Sequence, residues 1–269
     1  MPDPIARDAV VLVTGGSAGI GEALALRLAD RGARLALAAR GADALDAVAE
    51  ACRQRGAEAL AVPTDVADEA ACRAFVAAAV DRWGRVDVLV NNAGISMWAR
   101  FDEMDSLEPL RQIMRVNYFG AVYSTHAALP HLKESRGRLV NVSSLTGKTG
   151  VPTRTGYAAS KHAMAGFFDS LRIELRDTGV TVTTAFPGFV ATGVRRHAYG
   201  ADGAPLGESP VQEDAVMTAD DCARIIIDAA DRRTREVVMT ARGKVGQWVK
   251  LVAPGLVDRL AARAIERGR

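Results

Sequence analysis

A chain of 269 residues, 49% of them apolar, has enough hydrophobic material to bury a large core as one α/β domain. Its net charge of +2 excludes nucleic acid and acidic polymers as expected partners. Three scattered cysteines (Cys52, Cys72, Cys222) exclude a disulfide framework and read as buried thiols, and four histidines without clustered partners give no metal-site spacing.

In chain order, apolar β-branched runs alternate with helical patterns. The strand candidates are 9–14, 34–39, 57–63, 86–91, 137–143, 180–186 and 235–240, and the helix candidates are 18–31, 42–55, 67–83, 107–133, 157–177 and 218–231. The first run starts near Ala9, which leaves no room for a signal peptide. No apolar run approaches the ~20 residues that span a bilayer, so a cytoplasmic protein is expected. The strand runs are almost continuously apolar, as strands covered on both faces are. The alternation predicts a three-layer, Rossmann-type, doubly wound parallel sheet of about seven strands in a single domain, 1–269. Two stretches break the rhythm. Residues 188–217 form a long Gly/Pro-punctuated connection between the sixth strand and the last, which predicts a substrate lid. Residues 242–269 form an amphipathic tail broken at "APG".

The glycine-rich "VTGGSAGIG" lies between the first strand and the first helix, with Gly15, Gly19 and Gly21 as its spaced glycines. Glycine allows a sharp turn and close approach to a phosphate, and a helix N-terminus offers free N–H groups to a pyrophosphate. The second strand ends not on an acid but on Arg40. An acid there would accept from the ribose 2′-hydroxyl of NAD, whereas an arginine accommodates the 2′-phosphate of NADP. NADP(H) is therefore the preferred cofactor, and nearby Asp43 keeps NAD(H) as the alternative. Tyr157 and Lys161, four positions apart in "YAASK", share one face of a helix. A neighbouring ammonium lowers the pKa of a phenol, which would suit Tyr157 to proton exchange.

These motifs, with "NNAG" (91–94), "VNYFG" (116–120), "NVSS" (141–144) and "FPGFVAT" (186–192), resemble the short-chain dehydrogenase/reductase family over roughly residues 8 to 240. "TGGSAGIG" (14–21) matches that family's TGxxxGxG, and "YAASK" its YxxxK. The resemblance implies a catalytic tetrad of Asn117, Ser144, Tyr157 and Lys161, with Asn117 helping to hold a water that passes protons towards the lysine. It implies cofactor contacts at Gly15, Ser17, Gly19, Ile20, Gly21 and Arg40; at Asp65 and Val66 for the adenine; and at Asn91, Ala93 and Gly94 for the adenine-side ribose. Pro187, Gly188, Val190 and Thr192 would contact the nicotinamide. Tyr157 and Lys161 are also assigned to the cofactor. The implied reaction interconverts a carbonyl and a secondary alcohol by hydride transfer, with Tyr157 as general acid/base. Pairing across the helices at 107–133 and 157–177 in a homodimer or homotetramer is implied as well.

The substrate is less legible. Candidate lining positions are 95–101, Leu145, Val151 and 189–199. Trp98, Phe101, Phe189 and Tyr199, beside Ser144 and Tyr157, point to an apolar or bulky steroid-, lipid- or aryl-like small molecule. A 3-oxoacyl thioester is the alternative, and Arg195, Arg196 and His197 read as a solvated face of the lid. The rival of another class is a non-catalytic NADP-binding sensor or scaffold. The tail is similar to that of hydroxysteroid-dehydrogenase-like enzymes. Its stripe of Trp248, Leu251, Leu256, Leu260 and Ile265, opposite Lys250, Arg259, Arg263 and Arg267, is expected to pack on this chain or a sister subunit, with membrane contact as the sharper alternative.

Overall fold

The computed structural model describes residues 3–211 and 216–266, apart from the side chains of residues 264 and 266. The core of the fold is a seven-stranded parallel sheet. Its strands are β1 (Val10–Thr14), β2 (Arg34–Ala39), β3 (Ala59–Pro63), β4 (Val88–Asn91), β5 (Arg138–Val142) and β6 (Thr181–Phe186), closed at the far edge by the last strand, Glu236–Val238. The order is β3-β2-β1-β4-β5-β6 followed by that last strand.

Alternation along each strand sends side chains to opposite faces. Val11, Val13, Leu35, Leu37, Val88 and Val90 face one layer, with Leu24 and Leu28 of α1 (Gly19–Asp30), Leu45 and Val48 of α2 (Ala42–Gln54), and Ile226 and Ile227 of the helix Ala219–Asp231. Val10, Leu12, Leu89, Leu139 and Val182 face the other. There they meet Phe75 of α3 (Glu69–Trp83), Leu132 of α5 (Gly120–Ser135), and Phe168 and Leu171 of α6 (Thr155–Glu174). Both faces are therefore dry, which is why the strands read as unbroken apolar runs. The three cysteines are free and buried, and burial pushes the Cys52 thiol up to about 11 and the Cys222 thiol up to about 12.

The helix expected over 107–133 is present, but it is not α-helical throughout. It runs as α4 (Glu108–Met114), a π-helical turn (Arg115–Phe119) and then α5. The wide turn carries Asn117 inward, where its amide is tied to a distant backbone segment; such bulges are frequent at functional sites.

The connection 188–217 has structure of its own. Short strands β7 (Val190–Ala191) and β8 (Met217–Thr218) pair in parallel. Backbone bonds from Tyr199 N to Ser96 O (3.0 Å) and from Trp98 N to Tyr199 O (2.8 Å) fasten it to the segment after β4. Beyond β8 follow α7 (Ala219–Asp231) and β9 (Glu236–Val238), and the tail forms α8 (Ala241–Val252) and α9 (Pro254–Glu266). Among the described residues no helix is long and apolar enough to cross a membrane.

Candidate active site

Winding reverses between β1 and β4, and a ligand crevice in such a sheet lies at the carboxyl ends of the strands beside that reversal. The two strand ends nearly touch. Gly15 has φ +67°, and a Cβ there would lie 2.8 Å from the Cα of Ala93. Gly21 packs close as well, since a Cβ on it would strike the carbonyl oxygen of Gly15. The N-cap of α1, Ala18, offers no side chain to the first N–H groups of that helix, so they remain available to an external acceptor.

A cavity of about 1450 Å³ runs from this loop across the sheet to the tail. It brings together most of the predicted cofactor positions: Gly15, Ser17, Gly19, Ile20, Arg40, Asp65, Val66, Ala93, Gly94, Pro187, Gly188, Val190 and Thr192. Arg40 lies exposed at one end of it and has no hydrogen bond or ion pair within the described protein. A glycine turn with positive φ, an uncapped helix end and an unengaged arginine at the β2 end fit the phosphates of a nicotinamide dinucleotide.

Two predicted cofactor residues are not in the wall. Gly21 is a packing glycine behind the loop. Asn91 is the last residue of β4 and points inside, where its Nδ2 donates to Thr125 Oγ1 (2.9 Å) and Asn141 Oδ1 (3.1 Å). Its neighbour Asn92 lines the cavity instead and braces the glycine turn, donating to the carbonyls of Thr14 (3.0 Å) and Gly15 (3.1 Å).

Ser144, Tyr157 and Lys161 line the same cavity. Burial pushes the Tyr157 phenol up; the Arg154 charge, the nearby Ser144 hydroxyl and the Arg195 charge oppose the rise. Lys161, 3% exposed, donates to the Val142 carbonyl at 2.9 Å, and burial pushes its ammonium down to about 8. Asn117 is fully buried and outside the cavity wall. Its Oδ1 accepts from Ile95 N (2.8 Å), and its Nδ2 donates to Ile95 O (3.0 Å) and Ser160 Oγ (2.9 Å). Both ends of the amide are thus engaged by protein partners, and it braces the turn after β4.

The substrate end departs further from expectation. Leu145, Val151 and Phe189 line the cavity, but Trp98 does not; its ring is covered by the Arg154 guanidinium, 4.2 Å from its centre. Phe101 is exposed, and Tyr199 packs beside Met97. Arg195 is buried rather than solvated, donating to Val190 O (2.9 Å) and Ser209 Oγ (3.1 Å), whereas Arg196 and His197 are exposed. Sequence reasoning missed Arg154. The available signal was its position one turn before Tyr157, at the N-cap of α6.

The tail is a wall of the cavity, through Val249, Leu256, Leu260 and Ile265, and Gly243 packs against Leu145. Most of its stripe is left open by the described residues: Trp248, Leu251, Leu256 and Leu260 are exposed. Lys250 donates to the Lys148 carbonyl at 2.7 Å, and Arg267 lies outside the described residues.

The family model described as short chain dehydrogenase matches residues 9–201. An 11-beta-hydroxysteroid dehydrogenase-like 4A protein of Arabidopsis thaliana is 38% identical over 249 residues, covering 92% of this chain and 82% of the relative. Dehydrogenase/reductase SDR family member 7B of Mus musculus is 34% identical over 269 residues, covering 98% and 83%. An alcohol dehydrogenase of the archaeon Thermococcus sibiricus, solved with 5-hydroxy-NADP, superposes with a TM-score of 0.74 at 29% identity, covering 86% of this chain and 95% of that one. A short chain dehydrogenase/reductase of Burkholderia phymatum, solved with NAD, has the same fold, with a TM-score of 0.84 at 24% identity over 94% and 96% of the two chains. The chain therefore belongs to the short-chain dehydrogenase/reductase family, as an NAD(P)-dependent oxidoreductase acting on CH–OH and C=O groups.

Proposed function

We propose that this enzyme interconverts a carbonyl and a secondary alcohol with NADP(H), on an apolar or bulky substrate, with Tyr157 as general acid/base. The observation that carries the reading is the meeting of Tyr157, Ser144 and Lys161 in one cavity whose far end holds the unengaged Arg40. When bound, the nicotinamide dinucleotide supplies or takes the hydride. Ser144 holds the carbonyl oxygen while Tyr157 gives it a proton in reduction and withdraws that proton in oxidation. Lys161 grips the cofactor ribose and favours the phenolate, and Asn117 keeps the Ile95 turn in place beneath both. Arg40 receives the 2′-phosphate, for which a planar guanidinium is suited.

The apolar wall formed by Leu145, Val151, Phe189 and the tail supports a hydrophobic substrate, and the hydroxysteroid-dehydrogenase-like relatives point the same way. We also propose a homodimer or homotetramer that pairs the helices at 107–133 and 157–177, whose surface leaves Phe119 and Ile173 exposed. A panel of ketones, aldehydes, quinones and secondary alcohols, run with NADPH and NADH, tests the function. Steady turnover with NADPH is expected; silence across the panel would return the protein to the nucleotide-binding sensors.

A further inference from the structure

Arg154 lines the cavity but belongs to none of the motifs. The residue is 5% exposed, yet no carboxylate among the described residues pairs with it. Nη1 donates to Ser96 Oγ at 3.0 Å, and Nε and Nη2 are buried without a partner. Aromatic faces hold the group: Cζ lies 4.2 Å from the ring centre of Trp98, and 5.8 Å from the centres of both Tyr157 and Phe189.

That arrangement is costly. A buried charge without a counter-ion is disfavoured, and so is a cation at the N-terminus of a helix, where α6 places it. Burial pushes the guanidinium down to about 10, which leaves it charged near neutral pH. An acid would hold Arg154 more cheaply but would cancel its field. Trp98 and Ser96 hold it and leave the charge uncancelled, one helical turn from Tyr157 on the same face.

We propose that Arg154 is a positioning residue for proton transfer, its uncompensated guanidinium favouring the phenolate of Tyr157 alongside Lys161. The proposal rests on the reading of Tyr157 as the proton carrier. The charged and titratable groups facing the phenol among the described residues are Arg154 at the N-cap of α6, Lys161 on α6 and Arg195 on the connection after β7, with the Ser144 hydroxyl after β5. Arg195 is tied to Val190 and Ser209, and Lys161 loses its charge near pH 8. Arg154 keeps its charge through the pH range in which Lys161 discharges.

The test is the pH dependence of kcat/KM for alcohol oxidation in wild type, Arg154→Met and Arg154→Lys. The limb that reports loss of the Tyr157 proton is expected about one pH unit higher in Arg154→Met, so that oxidation is about tenfold slower below the limb and recovers above it. Arg154→Lys is expected to restore most of the shift. An unmoved limb, or an equal loss at every pH, would overturn the proposal, since a merely structural role lowers activity without displacing the profile. A second readout needs no turnover: the ultraviolet phenolate titration of each protein minus that of its Tyr157→Phe counterpart. Tyr157 is expected to titrate later in Arg154→Met than in wild type; coincident curves would overturn the coupling. A displaced titration without turnover of any substrate would instead count against the proposed function.

Discussion

The Nζ of Lys161 stands 5.7 Å from the centre of the Tyr157 ring, one turn along α6, and is held there by the carbonyl of Val142 at the end of β5. The pair is thus clamped to the sheet at one end of its reach and faces the cavity at the other. That clamp gives Lys161 a measurable signature. Its folded pKa of about 8 lies below its unfolded value of 10.5, so below pH 8 both states carry the proton and the burial cost is fully present. Between pH 8 and 10.5 the unfolded state binds more protons, and stability rises with pH. Denaturant unfolding of the cofactor-free protein should show wild type gaining about 1 to 2 kcal/mol on Lys161→Met between pH 7 and pH 9.5. A stability difference that stays level, or moves in favour of Lys161→Met as pH rises, would place the ammonium in a more solvated setting.

Arg40 sits at the far end of the same cavity without a protein partner. Removing a charged donor from a phosphate costs ~1.5–3 kcal/mol, so Arg40→Ala should weaken NADPH binding by about tenfold to a hundredfold. NADH affinity should change by less than about threefold, because NADH lacks the phosphate. Calorimetric titration of both cofactors checks this; equal losses would remove the arginine from 2′-phosphate recognition.

Phe119, 42% exposed, stacks on Tyr123 and meets Tyr118 edge-on, which builds an aromatic ridge beside α6. Burying a charge in an apolar interface is strongly unfavourable. Phe119→Glu should therefore shift the sedimentation of the protein from dimer or tetramer to monomer at micromolar concentration. An unchanged sedimentation coefficient would move the interface elsewhere.

The parallel sheet and the glycine loop were legible because both are local. Strand burial shows as unbroken apolar runs, and the turn at Gly15 demands a positive φ. Tyr157 and Lys161 were legible because helical spacing places them on one face. Asn91 and Asn92 were not told apart, since motif letters do not show which of two alternating residues faces the cavity; the pairing of Asn91 with Asn141 in the β4–β5 register settles it. The π turn at Asn117 depends on Ile95, 22 positions away, and no local pattern announces it. Arg154 belongs to no motif; only Trp98, brought over it by the third dimension, makes it a buried cation. The tail's amphipathic face was visible in the sequence, but the periodicity of α8 and α9 says nothing of the cavity they wall.

Tyr157→Phe tests the central claim most directly, because it removes one hydroxyl and leaves the ring in its place. With a carbonyl substrate identified from the panel, turnover should fall by about 10² to 10⁴-fold while the Kd for NADPH stays within about twofold of wild type. Turnover that survives at the wild-type level would contradict the assignment of the proton to Tyr157.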